Sequence, residues 1–423
     1  MLSLEELNKI GFGAYRISKF SNEHNQALQY AIDNGCNLID TSSNYTNGES
    51  EMLIGDVISE RRKHLFVITK AGYIRSNNED IDQVSKRLKI PKEEIFQTSD
   101  NSFHSFGAEF LENEIKTSLK RLKTSYIDGF LLHNPEYYFN QNKISISDNR
   151  FYELIRKVFV FLETQVKKGK IRYYGISSNM FQLPNNDNGI NLLKIIKIAQ
   201  NISETNHFKF IQFPLNLAEY EPSKPNYEGK SLIEFAKLNG LITISNRTLT
   251  AVTEKGTVRF ANYTKDISNL DEEFDFKVIT NFLNQIKEQL LAIDVHDDIL
   301  SFVPIQVVKT SWNIFPNTDV VDGVFNKHLI PFVMRIFDND LPPKILQSLS
   351  NLKAILRGYA KRNMMTLTNS YLNTLKKNGT IKDFNNMSLS EIACKFCIDS
   401  GVDHVLVGMR EKQYVESLKS LIK

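Results

Sequence analysis

The sequence predicts an α/β protein: a (β/α)8 TIM barrel with a large, mainly helical insertion between strand 7 and the helix preceding strand 8. Short apolar runs alternate with longer amphipathic stretches, which is typical of buried parallel strands that alternate with helices. Polar residues stand directly after several of these runs, and in such barrels the functional groups come from the carboxyl ends of strands. The chain has 423 residues. One barrel needs roughly 250, so insertions or a second domain must account for the rest.

Eight apolar runs supply the strands of the predicted barrel. In the first predicted helix, Ala27, Leu28, Ala31 and Ile32 share one face, as the helical period requires. The predicted strands are 11–15, 37–40, 65–69, 127–132, 171–176, 208–212, 241–245 and 404–408. The predicted helices before the insertion are 23–34, 49–60, 109–122, 150–168, 188–201 and 230–238.

Two stretches exceed a minimal barrel on the rim where the predicted catalytic groups lie. Residues 73–108 follow the third strand and are polar and charged, which is typical of a solvated loop. Residues 137–149 follow the fourth strand and open with Tyr137, Tyr138 and Phe139. These aromatic residues either line a substrate pocket or pack the loop.

The longest extra stretch, residues 251–387, separates the seventh strand from the helix that precedes the eighth. A connection of this length must carry its own structure. Apolar residues recur at helical spacing over 276–293, 345–359 and 364–375. We therefore predict a barrel formed by 1–250 plus 388–423 and a helical insertion formed by 251–387, packed on or beside the catalytic face.

Four polar residues follow the apolar runs closely: Asp40, Tyr45, Lys70 and His133. An acid, a phenol, an amine and an imidazole at strand ends indicate proton chemistry. Tyrosine has a reference pKa of about 10, and a nearby ammonium group would lower that pKa by stabilising the phenolate. A carboxylate beside the lysine would hold the ammonium in place. The sequence therefore predicts that these four side chains form one catalytic group.

Residues 31–45, with the sequence AIDNGCNLIDTSSNY, resemble the signature of the aldo-keto reductase family. Further blocks follow in that family's order, and so many together are far more specific than one motif. The resemblance covers residues 8–250 and 388–420. The further blocks are 48–51, 54–55, 68–70, 118–122, 126–128, 133–136, 169–172, 175–179 and 211–212.

The resemblance implies a catalytic tetrad of Asp40, Tyr45, Lys70 and His133. Tyr45 would be the general acid that protonates a carbonyl oxygen during reduction, and the base in the reverse direction. Lys70, held by Asp40, would tune the phenol, while His133 would orient the carbonyl and stabilise charge on its oxygen. The hydride would come from a bound nicotinamide.

The resemblance also implies a cofactor site built from barrel loops. Ser178, Asn179 and Gln212 would hydrogen-bond the nicotinamide carboxamide, which needs both donors and acceptors. Many members of the family place an aromatic ring after the seventh strand, whereas here the planar guanidinium of Arg247 would cover the nicotinamide or reach a phosphate. Arg410 would bind the adenosine 2′-phosphate, which favours NADP over NAD. The predicted cofactor-binding residues are Ala14, Tyr15, Ser178, Asn179, Gln212, Arg247, Gly408 and Arg410.

Composition excludes several other classes of protein. The net charge is only +3, from 52 basic and 49 acidic residues that are interspersed, so no basic stripe indicates a nucleic-acid partner. The sequence shows no signal-peptide pattern and no apolar stretch of about 18 residues, so we expect a cytoplasmic protein without a membrane partner. Three cysteines give no disulfide framework. Cys394 and Cys397 are spaced so that both thiols pack into the core, and no metal site is predicted.

The sequence thus indicates an NADP-dependent oxidoreductase that reduces a small-molecule aldehyde or ketone to an alcohol, or catalyses the reverse. Two alternatives stay open. One is a regulatory or scaffold module that keeps the barrel and binds the cofactor without turnover. The other is a cofactor-assisted isomerase or lyase that uses the same tyrosine on a sugar-like substrate. The sequence indicates neither the natural substrate nor self-association.

Overall fold

The computed structural model describes residues 1–99, 102–142, 149–182, 189–253, 256–261, 267–292, 303–338, 340–379, 381 and 387–422. The chain forms two compact units. The first comprises Met1–Leu249 and Ser390–Lys423, and the second comprises Thr250–Leu389.

The first unit contains a closed barrel of eight parallel strands, which confirms the predicted fold class. Each strand pairs with its neighbours in the chain, and the first strand pairs with the last. Every observed strand boundary lies within two residues of the predicted one. The strands are β1 (Ile10–Gly13), β2 (Leu38–Asp40), β3 (Phe66–Ala71), β4 (Ile127–His133), β5 (Ile171–Ser177), β6 (Phe208–Pro214), β7 (Ile242–Asn246) and β8 (His404–Val407).

Helices connect the barrel strands, and local signals set their ends. Ser231 caps one helix through a reciprocal pair of hydrogen bonds with Glu234. Another helix starts at Leu192 rather than at the predicted 188, because the side chain of Asn191 accepts a hydrogen bond from the backbone of Lys194. The helices of this unit are Asn22–Asp33, Glu49–Ile58, Ile81–Leu88, Ala108–Arg121, Tyr137–Asn142, Asn149–Lys167, Leu192–Ile202, Leu232–Leu238, Leu389–Asp399 and Lys412–Ile422, with a short hairpin at Pro225–Tyr227 and Lys230–Ser231.

Two apolar layers stabilise the barrel. The inner layer fills the space enclosed by the strands and includes Phe66, Leu131 and Phe210, none of which is exposed. The outer layer lies between the strands and the helices. Cys394 and Cys397 are buried in this outer layer, and Cys397 Sγ lies 3.2 Å from the Leu215 carbonyl oxygen. Both thiols therefore contribute to packing.

The stretch after β3 is folded, so the prediction of a solvated loop over 73–108 is wrong. It forms a three-stranded antiparallel sheet of Tyr73–Arg75, Phe96–Ser99 and Ser102–His104, together with the helix Ile81–Leu88. The physical reason is that its apolar residues join the outer apolar layer of the barrel. The residues buried in this way are Ile74, Val84, Ile90, Ile95, Phe96 and Phe103.

The second unit begins with an antiparallel hairpin, Thr250–Thr253 and Gly256–Arg259, and continues with helices around a separate apolar core. The helices predicted at 345–359 and 364–375 are one helix, Pro343–Lys377. Ala360 and Met364 are both buried, so the apolar face runs through the point where two helices were expected. The other helices are Glu272–Ala292, Val303–Ser311, Thr318–Val324 and Ile330–Ile336, and Phe325–Leu329 forms a π-helical turn. The placement of this unit on the catalytic face stays a prediction.

Within the described ranges, no helix combines the length and the apolar character that crossing a membrane would require.

Gly55 tests the packing of the helix Glu49–Ile58 against the end of the helix Ala108–Arg121. A Cβ atom at this position would lie 2.3 Å from the Arg121 carbonyl oxygen and 2.7 Å from the Leu122 carbonyl carbon, so the backbone would have to shift. We expect Gly55→Ala to lower the free energy of unfolding by about 1–3 kcal/mol. Urea unfolding followed by far-UV circular dichroism measures this change, because the single tryptophan, Trp312, lies in the second unit.

Ser59→Ala is the matched control for that experiment. Ser59 is exposed at the end of the same helix, so its substitution should change the free energy of unfolding by less than about 0.5 kcal/mol. Equal effects of the two substitutions would contradict the close approach at Gly55.

Candidate active site

Strand register brings the predicted catalytic side chains to one end of the barrel. Asp40 is the last residue of β2 and pairs with Ile68 of β3, two residues before Lys70. His133 is the last residue of β4 and pairs with Ser177 of β5, which pairs in turn with Gln212 of β6. Because all these strands are parallel, their carboxyl ends meet at the same rim.

Lys70 and Asp40 form an ion pair in the interior. Lys70 Nζ lies 2.5 Å from Asp40 Oδ1 and donates a second hydrogen bond to the Thr41 carbonyl oxygen at 2.7 Å. The Lys70 side chain has no exposed surface, and that of Asp40 is 5% exposed. An ammonium group so buried requires an anionic partner, because desolvation without one costs several kcal/mol. Asp40 is therefore the group that permits a charged Lys70 at this depth.

Gln212 is engaged by the ion pair as well as by its neighbours. Its Nε2 donates to Asp40 Oδ2 at 2.8 Å. Its Oε1 accepts hydrogen bonds from Ser177 Oγ at 3.0 Å and Asn246 Nδ2 at 3.1 Å. Sequence reasoning did not assign roles to Ser177 and Asn246, although both stand at the carboxyl ends of strands. Gln212 thus orients Asp40 in addition to its predicted cofactor role.

Tyr45 lies in the loop after β2. Its backbone N–H donates to the Ser42 carbonyl oxygen at 3.1 Å, and the turn continues through Thr46 and Asn47, whose φ angles of 44° and 64° are left-handed. For a β-branched threonine this conformation is strained. The turn holds the Tyr45 ring 5.1 Å from Lys70 Nζ, measured to the ring centroid.

The pKa of Tyr45 is raised well above its usual value, chiefly by burial and further by the negative charge of Asp40 and by Tyr15. The expectation that Lys70 lowers this pKa is therefore wrong for this structure. The reason is that the ammonium group of Lys70 is committed to Asp40 and Thr41. At neutral pH Tyr45 carries its proton, the form that a general acid needs.

His133 completes the predicted tetrad. Its ring centroid lies 5.9 Å from that of Tyr45 and 4.9 Å from that of Tyr73, both edge to face. Burial lowers the pKa of His133 well below its usual value, and the positive charge of Lys70 lowers it further. The imidazole is therefore neutral at physiological pH.

His104 and Tyr73 on the rim sheet were missed by sequence reasoning, because 73–108 was interpreted as a solvated loop. His104 is fully buried, and its Nε2 lies 2.6 Å from the His133 carbonyl oxygen. Tyr73 donates to Asn134 Oδ1 at 3.3 Å and contacts the rings of His104 and Tyr137. These contacts place an aromatic wall beside His133. The aromatic residues Phe103 and Phe106, on either side of His104, were the signal that could have revealed it.

The predicted nicotinamide-binding residues converge beside this group. Arg247 lies in a left-handed conformation after β7 with a φ of 55° and donates from one guanidinium nitrogen to Asn179 Oδ1 at 3.1 Å. The same nitrogen lies 3.2 Å from Glu219 Oε1. Among the described residues, Arg247 Nε and Asn246 Oδ1 are buried without a hydrogen-bond partner. Buried polar atoms of this kind require a partner, so a donor and an acceptor are available to a planar amide.

The other predicted cofactor residues follow the ends of β5, β1 and β8. The backbone N–H of the buried Ser178 donates to the Gln212 carbonyl oxygen at 2.9 Å. Ala14 is buried and donates to the Asp40 carbonyl oxygen at 2.8 Å, whereas Tyr15 is 60% exposed and contacts the Tyr45 ring at 4.9 Å. Gly408 is exposed, with open space at the position of a Cβ atom. Arg410 is half-buried, and no ion-pair partner for it is present among the described residues.

The sequence model of the Aldo/keto reductase family matches residues 9–282. The chain belongs to this family. It is 30% identical over 173 residues to the uncharacterized oxidoreductase YqkF of Bacillus subtilis, a match that covers 41% of this chain and 45% of that relative. It is 26% identical over 297 residues to the aldo-keto reductase YhdN of the same organism, covering 66% and 72%. A solved aldo-keto reductase from Klebsiella pneumoniae in complex with NADPH aligns at 19% identity with a TM-score of 0.37, covering 57% and 64%.

Asp40→Ala tests whether the carboxylate of Asp40 offsets the cost of burying the Lys70 ammonium group in this aldo/keto reductase. The substitution leaves Lys70 buried without its anion, so the free energy of unfolding should fall by about 3–5 kcal/mol. Urea unfolding followed by circular dichroism measures the change. The control is Asp33→Ala, which removes an ion pair with Arg61 whose side chains are 53% and 52% exposed. That pair should contribute less than about 1 kcal/mol, and a similarly small loss for Asp40→Ala would refute the compensation.

Proposed function

We propose that this protein is an NADP-dependent oxidoreductase that reduces an aldehyde or ketone to an alcohol, or catalyses the reverse reaction. One observation carries the proposal. A protonated phenol, a neutral imidazole and a compensated ammonium group lie together at the rim where the strands of the barrel end. Membership of the aldo/keto reductase family supports the same conclusion.

Tyr45 is the proton donor in this proposal. Its raised pKa keeps the phenol protonated at neutral pH, and its edge-to-face contact with His133 fixes the direction of the ring. As negative charge develops on the carbonyl oxygen, the phenol transfers its proton to that oxygen. The ammonium of Lys70 lies 5.1 Å from the centre of the Tyr45 ring, and its role in this proposal is to hold Asp40 and the Thr41 carbonyl oxygen beside that ring.

The donor set around Asn179 fits a nicotinamide carboxamide. Asn246 Oδ1 would accept from the amide N–H2 group and Arg247 Nε would donate to the amide oxygen, because both atoms are buried without partners among the described residues. When bound, the nicotinamide supplies the hydride. Glu219 and Asn179 hold the Arg247 guanidinium in place through one of its terminal nitrogens.

Arg410 binds the adenosine 2′-phosphate in this proposal. It lies three residues beyond the end of β8, and Gly408 leaves open space for a close approach of the ligand. A guanidinium group binds phosphate through parallel charge-assisted hydrogen bonds. This arrangement favours NADP over NAD.

Tyr45→Phe provides the direct test of the proton donor. Loss of the hydroxyl should reduce turnover by about 100- to 10,000-fold, while the affinity for NADPH stays within a few-fold. Oxidation of NADPH with a panel of aldehydes and ketones measures turnover, and fluorescence titration measures cofactor binding.

Tyr126→Phe is the matched control. The Tyr126 hydroxyl has no hydrogen-bond partner within the described residues, and the Tyr126 ring packs against Arg62 just before β4 begins. This variant should keep full activity. Cofactor binding without turnover in the wild-type protein would favour a regulatory module. Retention of most activity in Tyr45→Phe would show that another group delivers the proton.

Arg410→Ala should raise the dissociation constant for NADPH by about 10- to 100-fold, the loss expected for a charge-assisted contact of roughly 1.5–3 kcal/mol. The constant for NADH should change by less than about twofold, because NADH lacks the 2′-phosphate. Calorimetric titration of both nucleotides provides the measurement. Arg61→Ala, at an exposed ion pair before β3, is the control. An equal effect on both nucleotides would remove Arg410 from the phosphate site.

A further inference from the structure

Arg121 joins two segments of the sequence that have no role in the proposed function. Its Nη1 lies 3.2 Å from Glu51 Oε2 and donates a hydrogen bond to the Ser43 carbonyl oxygen at 3.1 Å. Residues 48–51 and 118–122 are separate blocks of the sequence signature, and this contact brings them together. The side chain of Arg121 is 24% exposed and that of Glu51 is fully buried, so the pair lies largely inside the protein.

The guanidinium group contacts both ends of the loop that carries Tyr45. Ser43 lies before Tyr45 in the chain, and Gly48 lies after it. A Cβ atom at Gly48 would lie 2.4 Å from Arg121 Cζ, so glycine leaves room for the guanidinium group at this point. Residues 46–48 have left-handed φ angles of 44°, 64° and 86°. A turn strained in this way persists only where its surroundings hold it in place.

Glu51 connects the same guanidinium group to the strand that carries Lys70. Glu51 Oε1 accepts a hydrogen bond from Thr69 Oγ1 at 2.7 Å, while Oε2 faces Arg121. Thr69 directly precedes Lys70 on β3. A buried carboxylate requires a positive partner, so Glu51 in turn fixes the position of Arg121. The ion pair therefore joins the loop of Tyr45 to β3 beside the ammonium group.

We propose that Arg121 is a positioning residue that, together with Glu51, fixes the loop of Tyr45 against β3. This placement keeps the phenol beside the Lys70 ammonium group and the His133 ring. The inference rests on the proposed function, because Arg121 acts through Tyr45, the proton donor of that function. Arg121 makes both contacts through one nitrogen, Nη1, so the ammonium group of a lysine at this position can replace them.

Arg121→Met tests the proposal, because methionine fills much of the same space without hydrogen-bond donors. We expect kcat to fall by about 10- to 100-fold, the effect of a displaced catalytic group, while the dissociation constant for NADPH changes by less than about threefold. Arg121→Lys should recover most of kcat. Oxidation of NADPH and fluorescence titration provide the two measurements. An unchanged kcat in Arg121→Met would overturn the proposal.

The Tyr45→Phe background separates positioning from a general effect on the fold. If Arg121 acts through the phenol, Arg121→Met should change the residual rate of Tyr45→Phe by less than about twofold, because the two losses are not additive. A loss of equal size in both backgrounds would show that Arg121 only stabilises the fold.

Arg172→Met is the matched control. Arg172 Nη1 lies 2.7 Å from Asp128 Oδ1, and the two side chains are 22% and 1% exposed, close to the values for Arg121 and Glu51. Arg172 lies near the start of β5, at the opposite end of the barrel from the candidate site. Its substitution should leave kcat unchanged, and a loss as large as that in Arg121→Met would contradict the specific role of Arg121.

Glu51→Gln is a second variant, which keeps the proposal testable if Arg121→Met does not fold. The amide oxygen can still accept from Thr69, but the charge that holds the guanidinium group is lost. We expect kcat to fall by about 3- to 10-fold, and this loss should disappear in the Tyr45→Phe background. Full activity in Glu51→Gln would remove the ion pair from the proposal.

The position of Tyr45 is observable without turnover, so failure of the proposed function would not decide this test. The Tyr45 and His133 ring centroids are 5.9 Å apart. In protein labelled with 13C in its tyrosine and histidine rings, nuclear Overhauser effects should join these two rings, with the Tyr45 signals identified by their loss in Tyr45→Phe. They should weaken in Arg121→Met and persist in Arg121→Lys and Arg172→Met. Undiminished effects in Arg121→Met would show that Arg121 does not position Tyr45.

Discussion

The charge on Lys70 is the constraint to which the rest of the site is fitted. Its ammonium group is enclosed by the barrel, and withdrawal of such a group from water costs several kcal/mol even after relaxation. Strand ends that approach it must therefore present anionic or acceptor atoms, as Asp40 and the Thr41 carbonyl oxygen do. Gln212 binds the second oxygen of Asp40, so the compensation extends from β2 and β3 across the barrel to β6.

The same ion pair reinforces the protonation states that burial gives to Tyr45 and His133. Burial lowers the pKa of His133, and the positive charge of Lys70 lowers it further. The other partner of the ion pair acts on Tyr45. Burial raises the pKa of Tyr45, and the negative charge of Asp40 raises it further. A phenol that keeps its proton and an imidazole that carries none extra therefore coexist within one group of rings. In the proposed reduction, this combination leaves the phenol of Tyr45 as the proton donor.

Sequence identified the residues whose position is a local property and missed those that depend on distant contacts. Asp40 and His133 are the last residues of apolar runs, and a run and its end can be read directly from the sequence. The hydrogen bond between Gln212 and Asp40 joins residues 172 positions apart, so no local pattern reports it. The rim sheet was missed for a different reason. Its helix does carry a local signal, with apolar residues at 81, 84 and 88 after an Asp80 and Gln83 capping box, but the many charged residues around it favoured the interpretation as a solvated loop.

The rim sheet is attached to the barrel at His133, the last residue of β4. His104 Nε2 lies 2.6 Å from the His133 carbonyl oxygen, and a Cβ atom at Gly72 would lie 2.4 Å from that oxygen, so β3 leaves the barrel in close contact with the end of β4. Side chains on this sheet, such as Tyr73, reach the ring of His133 without touching Lys70 or Asp40. The contacts beside His133 can therefore change while the buried ion pair stays intact. In the proposed function the rim would shape the substrate pocket and Tyr45 would supply the proton, so the two properties can vary independently in this fold.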